Sequence, residues 1–225
     1  MNPSFILEKL YAHQDKKYQF FMQKLIPNCH EIMGVRMPIL KKIAKEYGVI
    51  SVSDLKSYQP KTHEEKMVLG LIVANSVKTP DQFDLVKAFI PYIKNWAVCD
   101  TFCTYLKSVE HYPDETLKFL ELYLNSTDEF EIRFALVLLL FHFVKQEHLP
   151  FIFNLLDNFN SEFYYASMAA AWLLSVCYLK FKDETMCYLK HSQLDKITFN
   201  RSIQKILESK KTSQEDRALL KKMKY

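Results

Sequence analysis

Glycine is scarce in this sequence, with only three glycines among 225 residues. Folds rich in β-hairpins need residues with positive φ at their turns, and glycine adopts positive φ most easily. The scarcity therefore favours helices over hairpin-rich sheets. It also excludes a glycine-rich phosphate-binding loop, because the chain has neither a GxGxxG nor a Walker sequence.

Clustered cysteines and histidines are missing as well. The five cysteines are scattered, their number is odd, and no CxxC occurs. This pattern is typical of reduced thiols in a cytosolic protein, so we expect a cytoplasmic location. The seven histidines show no HxxxH or HExxH spacing. We therefore expect no metal site, and nothing in the sequence calls for a cofactor.

Long apolar runs are also lacking. The most apolar stretch, residues 134–144, is well short of the roughly 20 residues that a membrane span requires. The first residues mix charges with apolar side chains and do not resemble a signal peptide. We therefore expect no membrane association. The net charge of +4 is a mild excess, which suits an anionic partner only if the bases share one face.

Helix signals are abundant. About fourteen short helices are predicted, with start signals such as Asn2 before Pro3 and the capping box of Thr62 and Glu65. Amphipathic helices alternate with very apolar ones, and comparable helices recur at roughly 35 to 45 residues. We therefore predict an all-α fold, an α-solenoid of HEAT-like repeats forming one domain over residues 1–225. A compact irregular helical bundle is the alternative.

An aromatic residue and an acid share a helix face in the segment NWAVCD. Trp96 and Asp100 are four residues apart, which places them one turn apart on the same side. Continuing this face brings in Cys103 or Thr104 and then Lys107. A carboxylate on such a face is either paired or borders a cleft. On spacing alone, a half-buried tryptophan beside a surface Asp100–Lys107 pair is the simpler interpretation.

Two further residues stand out in apolar helices. Arg133 is the strong base of its helix and needs a carboxylate or phosphate partner, because its guanidinium stays charged. Glu129, one turn earlier, is one candidate partner; a DNA phosphate or Asp100 is the other. Trp172 shares a face with Tyr165, and a core position is the simpler interpretation for it.

Bases and amides combine on one late helix. Arg201 and Lys205 are one turn apart, with Asn200 and Gln204 beside them. Such a face suits DNA backbone phosphates. An ordinary solvated face explains it equally well.

The order of these segments resembles that of a known family. The segments are GVRMPILKKIA at 34–44, NWAVCD at 95–100, EIRFA at 131–135 and MAAAWLLS at 168–175. Together they resemble the DNA alkylation repair protein family, the AlkD-like HEAT-repeat DNA glycosylases, over roughly residues 1–210. The GVRMP segment and the Trp-x-x-x-Asp element are the most specific parts of the resemblance.

The resemblance implies roles for individual residues. Trp96 and Trp172 match two tryptophans that flank the deoxyribose of the lesion, and Asp100 matches the catalytic carboxylate. Arg133 matches an arginine on the DNA-facing side. One turn after the second tryptophan, where the family has an arginine, this chain has Ser175. The resemblance also implies that the damaged base need not be flipped into a pocket.

These observations lead to one leading hypothesis and two alternatives. The leading hypothesis is a monomeric, monofunctional glycosylase that excises N3-methyladenine and N7-methylguanine from duplex DNA without metal or cofactor. Its concave basic face would carry Lys107, Arg133, Arg201 and Lys205. The first alternative, favoured by Ser175, is a non-catalytic binder of damaged, bent or branched DNA. The second is a helical scaffold that binds no DNA.

Overall fold

The computed structural model describes residues 3–225 and confirms the all-α prediction. Over that range 74% of the chain is helical and no strand occurs. Fourteen α-helices are joined by short links, four of which contain a turn of 3-10 helix. The helices are α1 (Pro3–Tyr11), α2 (Lys16–Leu25), α3 (Met37–Tyr47), α4 (Val52–Ser57), α5 (His63–Ser76), α6 (Phe83–Phe89), α7 (Trp96–Tyr105), α8 (Pro113–Leu124), α9 (Glu129–His142), α10 (Leu149–Asp157), α11 (Tyr164–Lys180), α12 (Lys182–His191), α13 (Lys196–Glu208) and α14 (Gln214–Met223).

The chain divides into two compact units, Met1–Leu120 and Glu121–Tyr225, which we call unit 1 and unit 2. The solenoid of HEAT-like repeats and the single domain over residues 1–225 stay predictions. The predicted N-cap Asn2 lies outside the described residues.

Helix α5 is the centre of unit 1. It packs against α1, α3, α6 and α7, and apolar residues occur all around it. The predicted capping box is confirmed, because the Thr62 hydroxyl accepts from the Glu65 N–H and the Glu65 carboxylate accepts from the Thr62 N–H. A helix that is apolar on every side is stable only when other helices surround it. Its position therefore determines where the neighbouring helices can pack.

Helix starts follow the sequence signals more closely than helix ends do. Ser51 starts α4 and Asp128 starts α9, each accepting backbone N–H groups with its side chain. Helix α7, which carries Trp96, does not continue to Lys107 as the predicted face requires. It ends at Tyr105, because Leu106 leaves the helical ψ range, and a 3-10 turn follows over Lys107–His111.

Helix α11 is the centre of unit 2. It packs against α9 on one side and α13 on another, and also contacts α12. Its run of small residues, Ala169, Ala170 and Ala171, is completely buried. Small side chains allow neighbouring helices to approach closely, so the alanine run explains why α11 can occupy the interior.

Within residues 3–225, no helix combines enough length and hydropathy to cross a bilayer.

Candidate functional site

The tryptophan and the acid predicted as a pair lie on the first two turns of α7. Asn95 caps this helix by accepting the Val98 N–H at 3.0 Å, so Trp96 is its first residue. The indole Nε1 of Trp96 donates to the carbonyl oxygen of Leu25 at the end of α2, 3.3 Å away. One turn later, Asp100 is half-buried, and its backbone carbonyl accepts the hydroxyl of Thr104 at 2.6 Å.

Trp96 and Asp100 border the same open space. This space, which we call the Trp96 cleft, has a volume of about 280 Å³. Its walls come from α2, the segment leading into α3, α5 and α7, and they are mostly apolar. The lining residues are Tyr18, Phe21, Met22, Leu25, Val35, Met37, Leu40, His63, Glu64, Met67, Trp96, Ala97, Asp100 and Thr101.

A buried carboxylate fixes the segment that leads into α3. Glu64 is 1% exposed and lies in the first turn of α5. Its carboxylate accepts the backbone N–H groups of Met33, Gly34 and Val35 at 2.8, 2.7 and 3.2 Å. Hydrogen bonds to a charged acceptor are among the strongest in proteins. Glu64 thereby holds one wall of the cleft in place.

Gly34 is essential to this arrangement. Its φ is +83°, a conformation that side chains with a Cβ rarely adopt. A Cβ at this position would also lie 2.4 Å from the carbonyl oxygen of Asp15 and 2.8 Å from Gln19. The GVRMP segment therefore starts with a glycine because the chain preceding α2 comes too close to leave room for a Cβ.

His63 borders the cleft and is 3% exposed. The side-chain oxygen of Asn95 is used by the helix cap, so its amide nitrogen faces Nδ1 of His63 at 3.3 Å. The amide nitrogen can only donate, which makes Nδ1 the acceptor and leaves the hydrogen on Nε2. Burial lowers the pKa of His63; Glu64 opposes this effect and Lys66 adds to it.

Helix α2 forms a thin outer wall of the cleft. None of its residues is buried, and Phe21 remains 55% exposed. The helix is attached through the Asp15 N–H to the Gly34 carbonyl, 3.1 Å, and through the Gln19 amide to the Ile32 carbonyl. Part of the attachment is therefore polar, and that part depends on the segment that Glu64 holds.

Lys107 is separated from the face on which it was predicted. It lies in the 3-10 turn after α7 and is exposed, whereas Cys103 on the predicted face is completely buried. The helical periodicity that placed Lys107 below Asp100 ends at Tyr105. The predicted helix face therefore does not continue to Lys107, and a DNA contact by Lys107 stays a prediction.

Arg133 supports the start of α11. It is 6% exposed, donates to the carbonyl oxygen of Tyr165 at 3.0 Å, and lies 5.9 Å from the centre of that ring. Glu129, the partner suggested by spacing, accepts the Tyr165 N–H at 2.5 Å. Both side chains thus bind the backbone of one residue in α11. The role of Arg133 in DNA binding stays a prediction.

Trp172 is half-buried on α11. Its ring packs edge-on against Phe141, with 5.6 Å between ring centres. Ser175, which is 4% exposed, donates its hydroxyl to the carbonyl oxygen of Trp172 at 2.7 Å. The residue that replaces the family's arginine is therefore buried and bonded to its own helix.

The basic face predicted on α13 is partly occupied by protein contacts. Arg201 lies over the exposed ring of Tyr164 at 5.0 Å, and Lys205 forms a 3.0 Å ion pair with Glu208. The Asn200 side chain accepts the backbone N–H of Tyr225 at 3.1 Å. Lys224 likewise donates to Gln204 at 2.7 Å. The two amides predicted beside the bases are thus used by the end of the chain.

Comparison with protein families gives a match over nearly all of this architecture. Residues 6–206 match the model of the family described as DNA alkylation repair enzyme. The chain belongs to that family. Membership supports a role in DNA alkylation repair and suggests DNA as the partner. A comparison with curated proteins gives no match.

The four sequence segments that carry the family resemblance all lie inside the matched range, and so does Ser175.

Three features at the cleft were not predicted from the sequence: the neutral His63, the buried Glu64 and the exposed apolar side of α2. Both His63 and Glu64 lie inside the capping box of Thr62 and Glu65, which predicts a helix start and no role at a cleft. Glu64 could have been singled out from the sequence, because it is a glutamate at the start of an otherwise apolar helix.

The described residues contain no group of three or more His, Cys, Asp or Glu placed to hold a metal ion.

Proposed function

We propose that this member of the DNA alkylation repair family is a monofunctional DNA glycosylase that releases cationic alkylated purines. The observation that carries the proposal is that Trp96 and Asp100 border one cleft of about 280 Å³. Burial of Asp100 is only partial, so its carboxylate is close to space that a substrate can enter.

The chemistry of such lesions suits this small set of residues. A purine methylated at N3 or N7 carries a positive charge and leaves as a neutral base, taking the electron pair of the glycosidic bond. The sugar becomes positively charged at C1′ while this bond breaks. In the proposed mechanism Asp100 stabilises that charge and accepts a proton from the attacking water. The indole of Trp96 offers a negative ring face to the same cation.

Affinity for DNA is assigned to bases outside the cleft. Lys107 is exposed, while Arg201 and Lys205 are half-buried, so all three have surface that a phosphate can approach. Phosphate contacts of this kind supply affinity without sequence preference and weaken with salt.

The decisive experiment measures release of 7-methylguanine from alkylated duplex DNA. We expect Asp100→Asn to lower the rate by about 100- to 1000-fold, because it removes the charge that stabilises the transition state, while DNA binding persists. Asp84→Asn is the matched control, since Asp84 is an exposed partner of Lys87 on α6. Release by the wild type no faster than the spontaneous rate would refute the enzymatic proposal.

A non-catalytic DNA-binding protein is the second candidate, and Ser175 favours it. The buried hydroxyl bonds to Trp172, so this position supplies no cation to a phosphate. This alternative predicts salt-dependent binding to damaged or branched DNA, no base release and no effect of Asp100→Asn on binding.

A further inference from the structure

The first residue of α11, Tyr164, differs from most of its helix. Most residues of α11 are buried, because the helix packs against α9, α12 and α13. Tyr164 is instead 56% exposed. Single exposed aromatic residues are common on protein surfaces, so the neighbours of the ring decide whether it can bind a ligand.

A cation lies against this ring. The guanidinium carbon of Arg201 on α13 is 5.0 Å from the ring centre of Tyr164. Within residues 3–225 Arg201 forms no ion pair, whereas Lys205, one turn later, is paired with Glu208 at 3.0 Å. A guanidinium that stacks on a ring can still donate from its edge to a phosphate, because its N–H groups lie in its own plane. Arg201 therefore places an available positive charge next to an exposed ring.

A second ring supports the first. Tyr165 meets Tyr164 edge-on, with 5.2 Å between ring centres, and packs against Phe130 at 5.4 Å. The backbone of Tyr165 is fixed as well, because its carbonyl oxygen accepts from Arg133 at 3.0 Å and its N–H donates to Glu129. The start of α11 is thereby held in place, so a ligand that stacks on Tyr164 orders little additional structure.

The chemistry of this pair suits a nucleotide with an unpaired base. Nucleobases stack on aromatic side chains whatever their sequence, and the attached phosphate favours a cation nearby. Tyr164 offers the ring and Arg201 the cation. An apolar peptide would leave the guanidinium unused, and a free phosphate would leave the ring unused. Bases in an intact duplex present only their edges, whereas a bulged, flipped or single-stranded base presents its face.

We propose that Tyr164 and Arg201 form a binding site for an unpaired nucleotide of DNA, whose base stacks on the tyrosine and whose phosphate pairs with the guanidinium. The inference rests on DNA as the partner, as the proposed function does, and goes beyond that function by assigning a side chain that contacts a base. Both residues belong to unit 2, and neither lines the Trp96 cleft.

Fluorescence anisotropy with labelled oligonucleotides tests the preference. The probes are a fully paired duplex and the same duplex with a single extra thymidine, compared at one salt concentration. We expect the wild-type protein to bind the bulged probe at least about fivefold more tightly, because only that probe offers a base to the ring. Equal affinity for the two probes, or no binding of either, would overturn the proposal.

Substitution of the ring locates the site. Tyr164→Ala should remove the preference for the bulged probe and leave the affinity for the paired duplex nearly unchanged, whereas Tyr164→Phe keeps a ring and should retain the preference. Tyr11→Ala is the matched control, because Tyr11 is a 63% exposed tyrosine on α1. A preference that survives Tyr164→Ala, or an equal loss of affinity for both probes, would contradict the assignment.

A fluorescent base gives a readout that does not depend on affinity. 2-Aminopurine replaces the extra thymidine, and at saturating protein its emission should be quenched by stacking with the wild-type protein and with Tyr164→Phe but not with Tyr164→Ala. The same emission with all three proteins would refute stacking on Tyr164. Arg201→Gln should reduce the salt dependence of binding to the bulged probe by about one phosphate contact. An unchanged salt dependence would remove Arg201 from the site.

Failure of this inference is distinct from failure of the proposed function. A protein that releases 7-methylguanine but binds both probes equally retains the glycosylase and loses only the inference. A protein that prefers the bulged probe through Tyr164 but releases no base retains the inference and loses only the glycosylase.

Discussion

The two tryptophans that the resemblance pairs have different surroundings in their respective units. In unit 1, Trp96 borders a cleft of about 280 Å³ together with Asp100 and His63. In unit 2, the polar residues near Trp172 are used within the protein: Ser175 bonds to the Trp172 carbonyl, and Arg133 to the carbonyl of Tyr165. Ligand binding requires open space next to polar groups, and the surroundings of Trp96 in unit 1 provide both.

The difference has a local cause. In unit 1 the wall of the cleft is built on a single buried carboxylate, because Glu64 accepts three backbone N–H groups of the segment before α3. In unit 2, α11 packs against α9 and α13, and its alanines at 169–171 are completely buried. A wall held by hydrogen bonds can border a cleft, whereas close helix packing fills the space.

The largest effect that would break this comparison is expected at Gly34. Gly34→Ala forces a Cβ to within 2.4 Å of the Asp15 carbonyl oxygen at a φ of +83°. We expect the free energy of unfolding, measured with urea, to fall by about 3 kcal/mol or more. Gly48→Ala is the control, because Gly48 has a φ of +89° and no atom lies within 4 Å of the point that a Cβ would occupy there. Gly48→Ala should lower the free energy of unfolding only through the unfavourable positive φ, by about 1 to 2 kcal/mol. Equal losses in both variants would show that the contact with Asp15 does not hold the wall.

An intermediate effect is expected in unit 2, at Ser175. Ser175→Arg puts a guanidinium at a position that is 4% exposed, and we expect it to lower the free energy of unfolding by about 2 kcal/mol. Ser175→Ala removes one hydrogen bond and should cost about 1 kcal/mol or less. Thermal unfolding of both variants and their affinity for duplex DNA are the measurements. A Ser175→Arg variant of full stability that binds DNA more tightly would show that the side of α11 bearing Ser175 is accessible to DNA. The difference between the surroundings of Trp96 and Trp172 would then disappear.

The smallest effect is a pH dependence at His63. Burial lowers its pKa in the folded protein below the ordinary value of 6.5, so the unfolded chain binds more protons in the interval between these two values. Stability is therefore complete above about pH 6.5 and falls as the pH drops towards the folded pKa. The slope contributed by this one group is at most about 1.4 kcal/mol per pH unit.

His63→Gln should flatten the stability profile between neutral and mildly acidic pH, as measured by urea unfolding at a series of pH values. His13→Gln is the matched control, because His13 is exposed at the end of α1. A wild-type profile that stays level below pH 6.5 would contradict a buried, neutral His63.

Part of the site was predictable from the sequence because it depends on spacing along one helix. Trp96 and Asp100 are four residues apart, and any helix over this segment puts them on one side. The same periodicity placed Lys107 wrongly on this face, because α7 ends before it. The helix ends at Tyr105, next to Leu106, which is 1% exposed, and such packing is not visible in the helical period. Arg133 also donates to the carbonyl of Tyr165, a contact that spacing along one helix does not predict.

The sequence by itself determined the helical class, the main helix starts and the family, because capping residues, scarce glycines and motif order are local properties of the chain. Only the tertiary structure decided what surrounds the key residues. Glu64 reaches Met33, Gly34 and Val35 across about thirty positions of sequence, and His63 reaches Asn95 across a similar distance. No local pattern specifies such contacts, because they depend on how the helices pack, and it is these contacts that form the cleft beside Asp100.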